Sequence, residues 1–314
     1  MRALGISNLL VAPLALGGNV FGWTADKKTS FEILDAFVDF GFNLIDTANI
    51  YSTWVPGNKG GESESIIGEW IKKSGKRDRI CIATKVGMEM AGFKGLTRDQ
   101  IFRSVEASLK RLQTDTIDLY QAHEDDPKTP LEETLDAFDQ LIKQGKVRFV
   151  GASNYDAERL NQSLSISQRL GITPYVSLQP YYNLYDRERF EKNLEPLCLE
   201  KQLGILPYFS LAKGFLTGKY RSKEDLNKSP RGKSIEHYLD DRGMRIIDAL
   251  EAISRAHNVV PAVVALAWLL QRKGVSAVIA SVTSVKQMAE LAKVSQIRLS
   301  LEEKMKLDTA SSYV

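Results

Sequence analysis

Short apolar runs rich in β-branched residues recur along the chain and alternate with segments of helical period. The runs fall at residues 13–18, 43–48, 79–86, 116–123, 147–154, 175–182, 204–210 and 276–282, eight candidate strands in all. Between most of them apolar residues return every three or four positions, as in Phe31, Leu34, Phe37 and Val38, or Ile101, Val105, Leu109 and Leu112. Each such set forms one face of a helix. Thr97 with Gln100, Thr129 with Pro130 and Glu132, and Ser300 with Glu303 fit capping boxes, while Gly41, Gly145 and Gly171 suit helix stops.

Strands alternating with helices predict a parallel sheet, and eight strands are the number that closes a (β/α)8 TIM barrel. An open doubly wound sheet has the same alternation. It normally carries Gly-x-Gly-x-x-Gly after an early strand, whereas Gly17, Gly18 and Gly22 have another spacing and no helix directly after them. The barrel is therefore preferred, as one α/β domain over residues 1–314. Two helical segments, 240–257 and 261–272, fall between the seventh and eighth strands, so one reads as an extra helix. The Gly-, Lys- and Ser-rich stretch 218–239 is the one long irregular region, and such loops are often functional.

Composition narrows the classes of function. A chain of 314 residues that is 43% hydrophobic can bury a large core. Its 42 basic and 39 acidic residues are interspersed, which leaves no electrostatic footprint for nucleic acid. No apolar run approaches the ~18 residues of a membrane span, and residues 1–18 read as structure rather than an export signal. Cys81 and Cys198 are far apart in apolar surroundings, so no disulfide framework or cysteine metal site is expected and a reducing cytoplasm fits.

The barrel decides which polar residues can meet. Its catalytic face lies at the C-terminal ends of the strands. Asp46 and Tyr51 follow the second strand, Lys85 belongs to the third and His123 ends the fourth. A lysine amid apolar neighbours is costly unless paired, and Asp46 is its natural partner. Such a pair beside a phenol is expected to lower a pKa that starts near ~10, making Tyr51 a proton donor. His123 would hydrogen-bond a substrate oxygen or assist the transfer. No Ser, Cys or acid nucleophile stands beside a histidine, and His237 and His257 fall in predicted surface segments, so neither nucleophilic hydrolysis nor a metal site is indicated.

The segments "NLIDTANIY", "GGESESIIGEWI", "IATKVG", "DLYQAHEDDPKTPLEETLDAFDQLIKQGKVRFVGASN" and "YFSLAKGFLTGKY" resemble the aldo-keto reductase superfamily, with a match from about residue 2 to 309. The resemblance implies a (β/α)8 barrel preceded by a short N-terminal β-hairpin and a nicotinamide cofactor bound without a Rossmann domain. It also implies a catalytic tetrad, whose roles fall on Asp46, Tyr51, Lys85 and His123, with Tyr51 as general acid in carbonyl reduction. By the same resemblance Ser153, Asn154 and Gln179 would hold the nicotinamide carboxamide, and Tyr208 would stack on its ring. Ser210, Leu211, Lys213 and Gly218 would follow the phosphates.

At the adenosine end Ser281, Thr283, Gln287 and Glu290 fit the family's contact pattern. Thr283, however, stands where some relatives carry arginine, and Leu291 where asparagine is frequent. Lys286 would supply the positive charge, making NADPH the first choice and NADH the alternative. A small-molecule carbonyl compound is the expected partner, and Phe21, Trp23 and Trp54 the expected substrate contacts, with Met88, Met90 and Phe93 on the same face or simply capping it. The chain stops at Val314 soon after its last predicted helix, so an open pocket of broad selectivity is expected. Glu124, Asp125 and Asp126 are expected either to form a solvated turn or to disfavour anionic substrates at the mouth. A cofactor-loaded sensor or regulatory subunit of the same fold, as some relatives are for ion channels, is the alternative to an enzyme.

Overall fold

The computed structural model describes residues 1–90, 92–230 and 232–313. A two-stranded antiparallel hairpin, β1 (Arg2–Ala3) and β2 (Leu10–Val11), precedes the main sheet. Eight parallel strands follow: β3 (Leu14–Gly17), β4 (Leu44–Asp46), β5 (Cys81–Val86), β6 (Ile117–Ala122), β7 (Val147–Ser153), β8 (Ser177–Gln179), β9 (Gly204–Ile205) and β10 (Val278–Ala280). Neighbours in sequence are neighbours in the sheet from β3 to β9, and β10 pairs with β3. Between β9 and β10 the ring is closed by Ser276 N to Ile205 O at 3.0 Å and Ile279 N to Pro207 O at 3.1 Å. The result is the expected (β/α)8 barrel.

The helices around it are α1 (Lys27–Asp39), α2 (Glu62–Ser74), α3 (Arg98–Leu112), α4 (Leu131–Lys143), α5 (Ala157–Leu170), α6 (Glu195–Glu200), α7 (Asp241–His257), α8 (Pro261–Leu270), α9 (Val285–Ala292) and α10 (Leu301–Ala310). Ser300 and Glu303 form the reciprocal capping box expected of α10. The box expected at Thr129 does not form. The residue before α4 is Pro130, and the Thr129 hydroxyl instead donates to Asp126 at 2.6 Å. Some strands are shorter than their apolar runs, because residues 77–79 turn as a 3-10 segment and Pro207 has no N–H to extend β9. Within 218–239 the chain forms two 3-10 segments, Lys223–Lys228 and Gly232–Tyr238. Among the described residues no single helix is long and apolar enough to cross a membrane, and the pair α7 and α8 bends by 96°.

Strand alternation divides the core in two. Ala15, Leu44, Ala83 and Leu119 face the barrel interior, packed with Leu4, Leu9 and Val11 of the hairpin region. The alternate residues Leu16, Ile45, Ile82 and Tyr120 pack outward against the helices. Asn43, just before β4, ties the hairpin on by accepting from Ala12 N at 2.8 Å and donating to Leu10 O at 2.9 Å. The hairpin thus closes the N-terminal end of the barrel. The same parity, carried two residues further along each strand, brings Asp46, Lys85, Gln121, Ser153 and Gln179 to the interior at the opposite end.

Candidate active site at the C-terminal ends of the strands

Asp46 ends β4 and Lys85 lies near the end of β5, both buried. The Lys85 ammonium donates to both Asp46 carboxylate oxygens at 2.8 Å and to Thr47 O at 2.7 Å. It also donates to the Tyr51 hydroxyl at 3.1 Å. Its proximity to that phenol follows from the chain path after β4. The backbone continues to pair with β5 through Thr47 N to Ala83 O at 2.8 Å, then turns back at Ser52, whose φ of 76° is unusual for a non-glycine residue. The Ser52 hydroxyl secures that turn by donating to Phe21 O at 2.7 Å.

His123 follows β6, with its N–H bonded to Val86 O at 2.8 Å and its ring 6.1 Å from that of Tyr51. Its buried Nδ1 has no hydrogen-bond partner in the protein. Burial, and then the Lys85 charge, push the His123 pKa well below its ordinary 6.5, so the ring is neutral. Burial also raises Tyr51 well above 10, reinforced by the negative charge of Asp46. This reverses the expected lowering, since the phenol is desolvated and lies 3.5 Å from the same carboxylate that compensates Lys85. Lys85 is pulled down by burial, with Asp46 and then Glu64 opposing.

Above these residues opens a cavity of about 880 Å³, walled by Tyr51, Trp54, Met88 and His123. Ser153, Asn154, Gln179 and Tyr208 continue the wall at the ends of β7, β8 and β9. Beyond them come Ser210, Leu211, Lys213, Lys219 and Lys228 of the long loop, and Ser281, Thr283, Gln287 and Glu290 after β10. Residues 13–312 match the pattern of the Aldo/keto reductase family. The chain belongs to that family. It is 34% identical over 306 residues to the aldo-keto reductase YhdN of Bacillus subtilis, covering 94% of this chain and 87% of the relative. It is 32% identical over 305 residues to the aldo-keto reductase str7 of Strobilurus tenacellus, covering 96% and 86%. A probable voltage-gated potassium channel subunit beta of Oryza sativa subsp. japonica is 32% identical over 300 residues, covering 92% and 89%.

As an aldo/keto reductase the chain is an oxidoreductase, and the hydrogen-bond donors lining its cavity would suit a ligand that carries phosphate groups. Three lysines and several hydroxyls line the same cavity as the flat Tyr208 ring. That ring is held by its hydroxyl, which donates to Asn154 at 2.7 Å, and by Tyr181 packed edge-on at 5.3 Å. Asn154 in turn donates to His123 O at 2.8 Å, joining this part of the cavity to the group of Asp46, Tyr51, Lys85 and His123. The backbone from Ala212 to Gly214 has successive positive φ of 47°, 58° and 102°, a concave turn at the expected phosphate loop. Gln179 donates one amide N–H to Asp46 at 2.8 Å, which orients that carboxylate, while its side chain also lines the cavity.

Several expected site residues are placed elsewhere. Phe21 is fully buried in the core outside the barrel and offers only its carbonyl, to Ser52. Trp23 stays off the cavity wall and supports Trp54 edge-on at 5.7 Å. Met90 and Phe93 bridge each other across a turn, leaving Met88 as the methionine on the wall. Gly218 caps a 3-10 turn with φ 80°, and its neighbours Thr217 and Lys219, not Gly218, reach the cavity. Lys286 is exposed on α9 and off the wall. Two of the three acidic residues after His123 are paired with a cation: Glu124 with Lys94 at 3.0 Å and Asp125 with Arg159 at 2.7 Å. Asp126 accepts from Leu96 N at 2.8 Å.

Gln121, Asn19, Lys219 and Lys228 join the site beyond the residues that the motifs indicate. Gln121 approaches Asp46 at 3.5 Å, and strand parity with His123 two residues on is the signal that points to it. Asn19, after β3, accepts from Ser281, after the neighbouring β10, and has no such local signal.

Proposed function

We propose that this aldo/keto reductase reduces aldehydes or ketones to alcohols with NADPH, with Tyr51 as proton donor. The observation that carries the reading is the 3.1 Å bond from the Lys85 ammonium to the Tyr51 hydroxyl, with Asp46 behind it. Reduced nicotinamide, when bound, supplies hydride to the carbonyl carbon. Ser153, Asn154, Gln179 and Tyr208 would hold it, and Ser210, Leu211, Lys213, Ser281, Thr283, Gln287 and Glu290 would hold the rest of the dinucleotide. Tyr51 gives its proton to the carbonyl oxygen as negative charge develops there. Its raised pKa keeps the acid form populated, and Lys85 meets the phenolate left behind. Neutral His123 donates a hydrogen bond to the same oxygen. Trp54 and Met88 at the mouth favour aromatic or apolar carbonyl compounds.

The barrel acts as one domain, and the buried free thiols of Cys81 and Cys198 suit a reducing cytoplasm. NADH is the alternative cofactor. The channel-subunit relative supports a second reading, a cofactor-loaded sensor with slow turnover.

The test is loss of reduced-nicotinamide absorbance with simple aldehydes such as nitrobenzaldehyde. An enzyme turns over steadily, and Tyr51→Phe lowers kcat by roughly 10²–10⁴ while cofactor affinity changes little. Steady turnover that survives Tyr51→Phe would sink the proton-donor assignment, and wild-type turnover at sensor-like rates would favour the second reading.

A further inference from the structure

Behind the tetrad, between the barrel and its helices, lies a second group of buried charges that carbonyl reduction as described does not use. Glu64, in the first turn of α2, is completely buried. One of its oxygens accepts from the Thr84 hydroxyl at 2.6 Å and the other from Arg111 Nε of α3 at 2.6 Å. Thr84 directly precedes Lys85 on β5, and strand alternation turns the two side chains to opposite faces. Lys85 therefore looks into the barrel, while Thr84 looks out at Glu64. Tyr120, also facing outward from β6, has a buried hydroxyl without a partner, and Glu64 is the charged group that most raises its pKa after burial itself.

The flanking residues bind the same corner to the active-site loop. Glu62 accepts from Lys59 N at 2.7 Å and Gly60 N at 3.0 Å, at the end of the loop that begins with Tyr51. Ser63 donates to Gly18 O at 2.8 Å and lies 2.8 Å from the Thr47 hydroxyl, next to Asp46. Arg111 runs along Gly61, where an added Cβ would stand 2.4 Å from Arg111 Cδ. One turn of α2 thus joins the ends of β3, β4 and β5 and the loop bearing the phenol. Burying a full carboxylate is costly, and Arg111 alone would satisfy only one side of it.

We propose that Glu64 is a positioning residue for the reduction, which through Thr84 and Arg111 fixes β5 behind Lys85 and adds its negative charge to that of Asp46. It touches neither substrate nor cofactor. The groups facing Lys85 are Asp46 from β4, Tyr51 from the following loop and His123 after β6. Glu64 acts from the outer side, with Arg111 and Tyr120 as its own charged or titratable neighbours. Asp46 and Glu64 both favour the ammonium that burial disfavours, and this is the form that meets a developing phenolate on Tyr51. The inference rests on the proposed reduction for its functional meaning, but its physical content does not need turnover.

The experiment follows the charge of Lys85 directly, by 13C NMR titration of protein labelled at the lysine ε-carbon, with Lys85→Met assigning the signal. In Glu64→Gln, which keeps the volume and an acceptor for Thr84, the Lys85 midpoint falls by about one pH unit or more. The alkaline limb of kcat moves down with it, because an ammonium with a lower pKa is lost earlier as pH rises. Glu64→Gln combined with Arg111→Met removes the unpaired guanidinium; it recovers thermal stability and leaves the midpoint below that of the wild type, though closer to it than in Glu64→Gln alone. Unchanged midpoints in the variant that folds would overturn the proposal, as would a uniform loss of kcat at all pH values. Failure of the reduction reading looks different: no carbonyl turnover in the wild type while Lys85 still responds to Glu64.

Discussion

The Lys85 ammonium stands 2.8 Å from each carboxylate oxygen of Asp46, with both residues removed from solvent. Such a pair is best understood by what happens when one member is lost. Its own attraction does little more than offset two desolvations, whereas removing one partner leaves an uncompensated buried charge. Lys85→Met should therefore destabilise the fold by about 3–5 kcal/mol, and the further change Asp46→Asn should recover much of that loss. Urea denaturation measures both. Neither variant should regain carbonyl reduction, since the phenol has lost its cation.

His123 gives stability a pH dependence with a definite sign. Its folded-state pKa lies well below 6.5, because burial and the Lys85 charge disfavour the imidazolium. The stability this group contributes is full above the unfolded value and is lost as pH falls from about 6.5 toward the folded pKa. The melting temperature of the wild type should fall across that window, and His123→Gln should show a shallower fall. Equal slopes in the two proteins would mean that other groups govern the acid limb.

The acidic residues after His123 are spent on local partners, which changes the expected substrate preference. With Glu124 held by Lys94 and Asp125 gripped by both arms of Arg159, at 2.7 and 2.9 Å, two of the three negative charges after His123 are compensated, and Asp126 is tied down by hydrogen bonds. Neutral and carboxylated benzaldehydes should then differ little in kcat/KM, with weak dependence on salt. Arg159→Gln releases Asp125, and should lower the carboxylated-to-neutral ratio at low ionic strength and restore it as salt shortens the ~10 Å screening length of 0.1 M solution. A ratio that ignores both the mutation and the salt would place Asp125 beyond electrostatic reach.

Cofactor selectivity should follow the cavity wall rather than α9. Lys219 and Lys228 reach the cavity, and Lys228 is held by Asp225 at 2.7 Å and by Lys219 O at 2.9 Å. If this cluster meets the 2′-phosphate, Lys228→Ala raises the Kd for NADPH about tenfold, the scale of one charge-assisted hydrogen bond, and leaves NADH nearly unchanged. Lys286→Ala should do neither. Fluorescence titration of both cofactors separates these outcomes, and a selective effect at Lys286 would return the phosphate to α9.

The sequence by itself determined the barrel and the polar layer at its mouth, because both rest on local periodicity. A strand shows alternate residues to alternate faces, so the runs ending in Asp46, Lys85 and His123 already specify which side chains converge once eight such strands close. It did not determine where loop side chains go. Phe21, Trp23 and Trp54 look alike as exposed-loop aromatics, yet Phe21 is buried, Trp23 is a buttress and Trp54 alone reaches the cavity. Ser52 explains the difference, since a positive φ and a bond to Phe21 O across 31 residues lie outside any local pattern. Charge behaves in the same way. Whether Asp125 repels a substrate depends on Arg159, 34 positions away, and whether Tyr51 is acidified depends on how far water is excluded from it. Partners distant in sequence and the local dielectric are properties of the packed molecule, so only the tertiary structure could decide them.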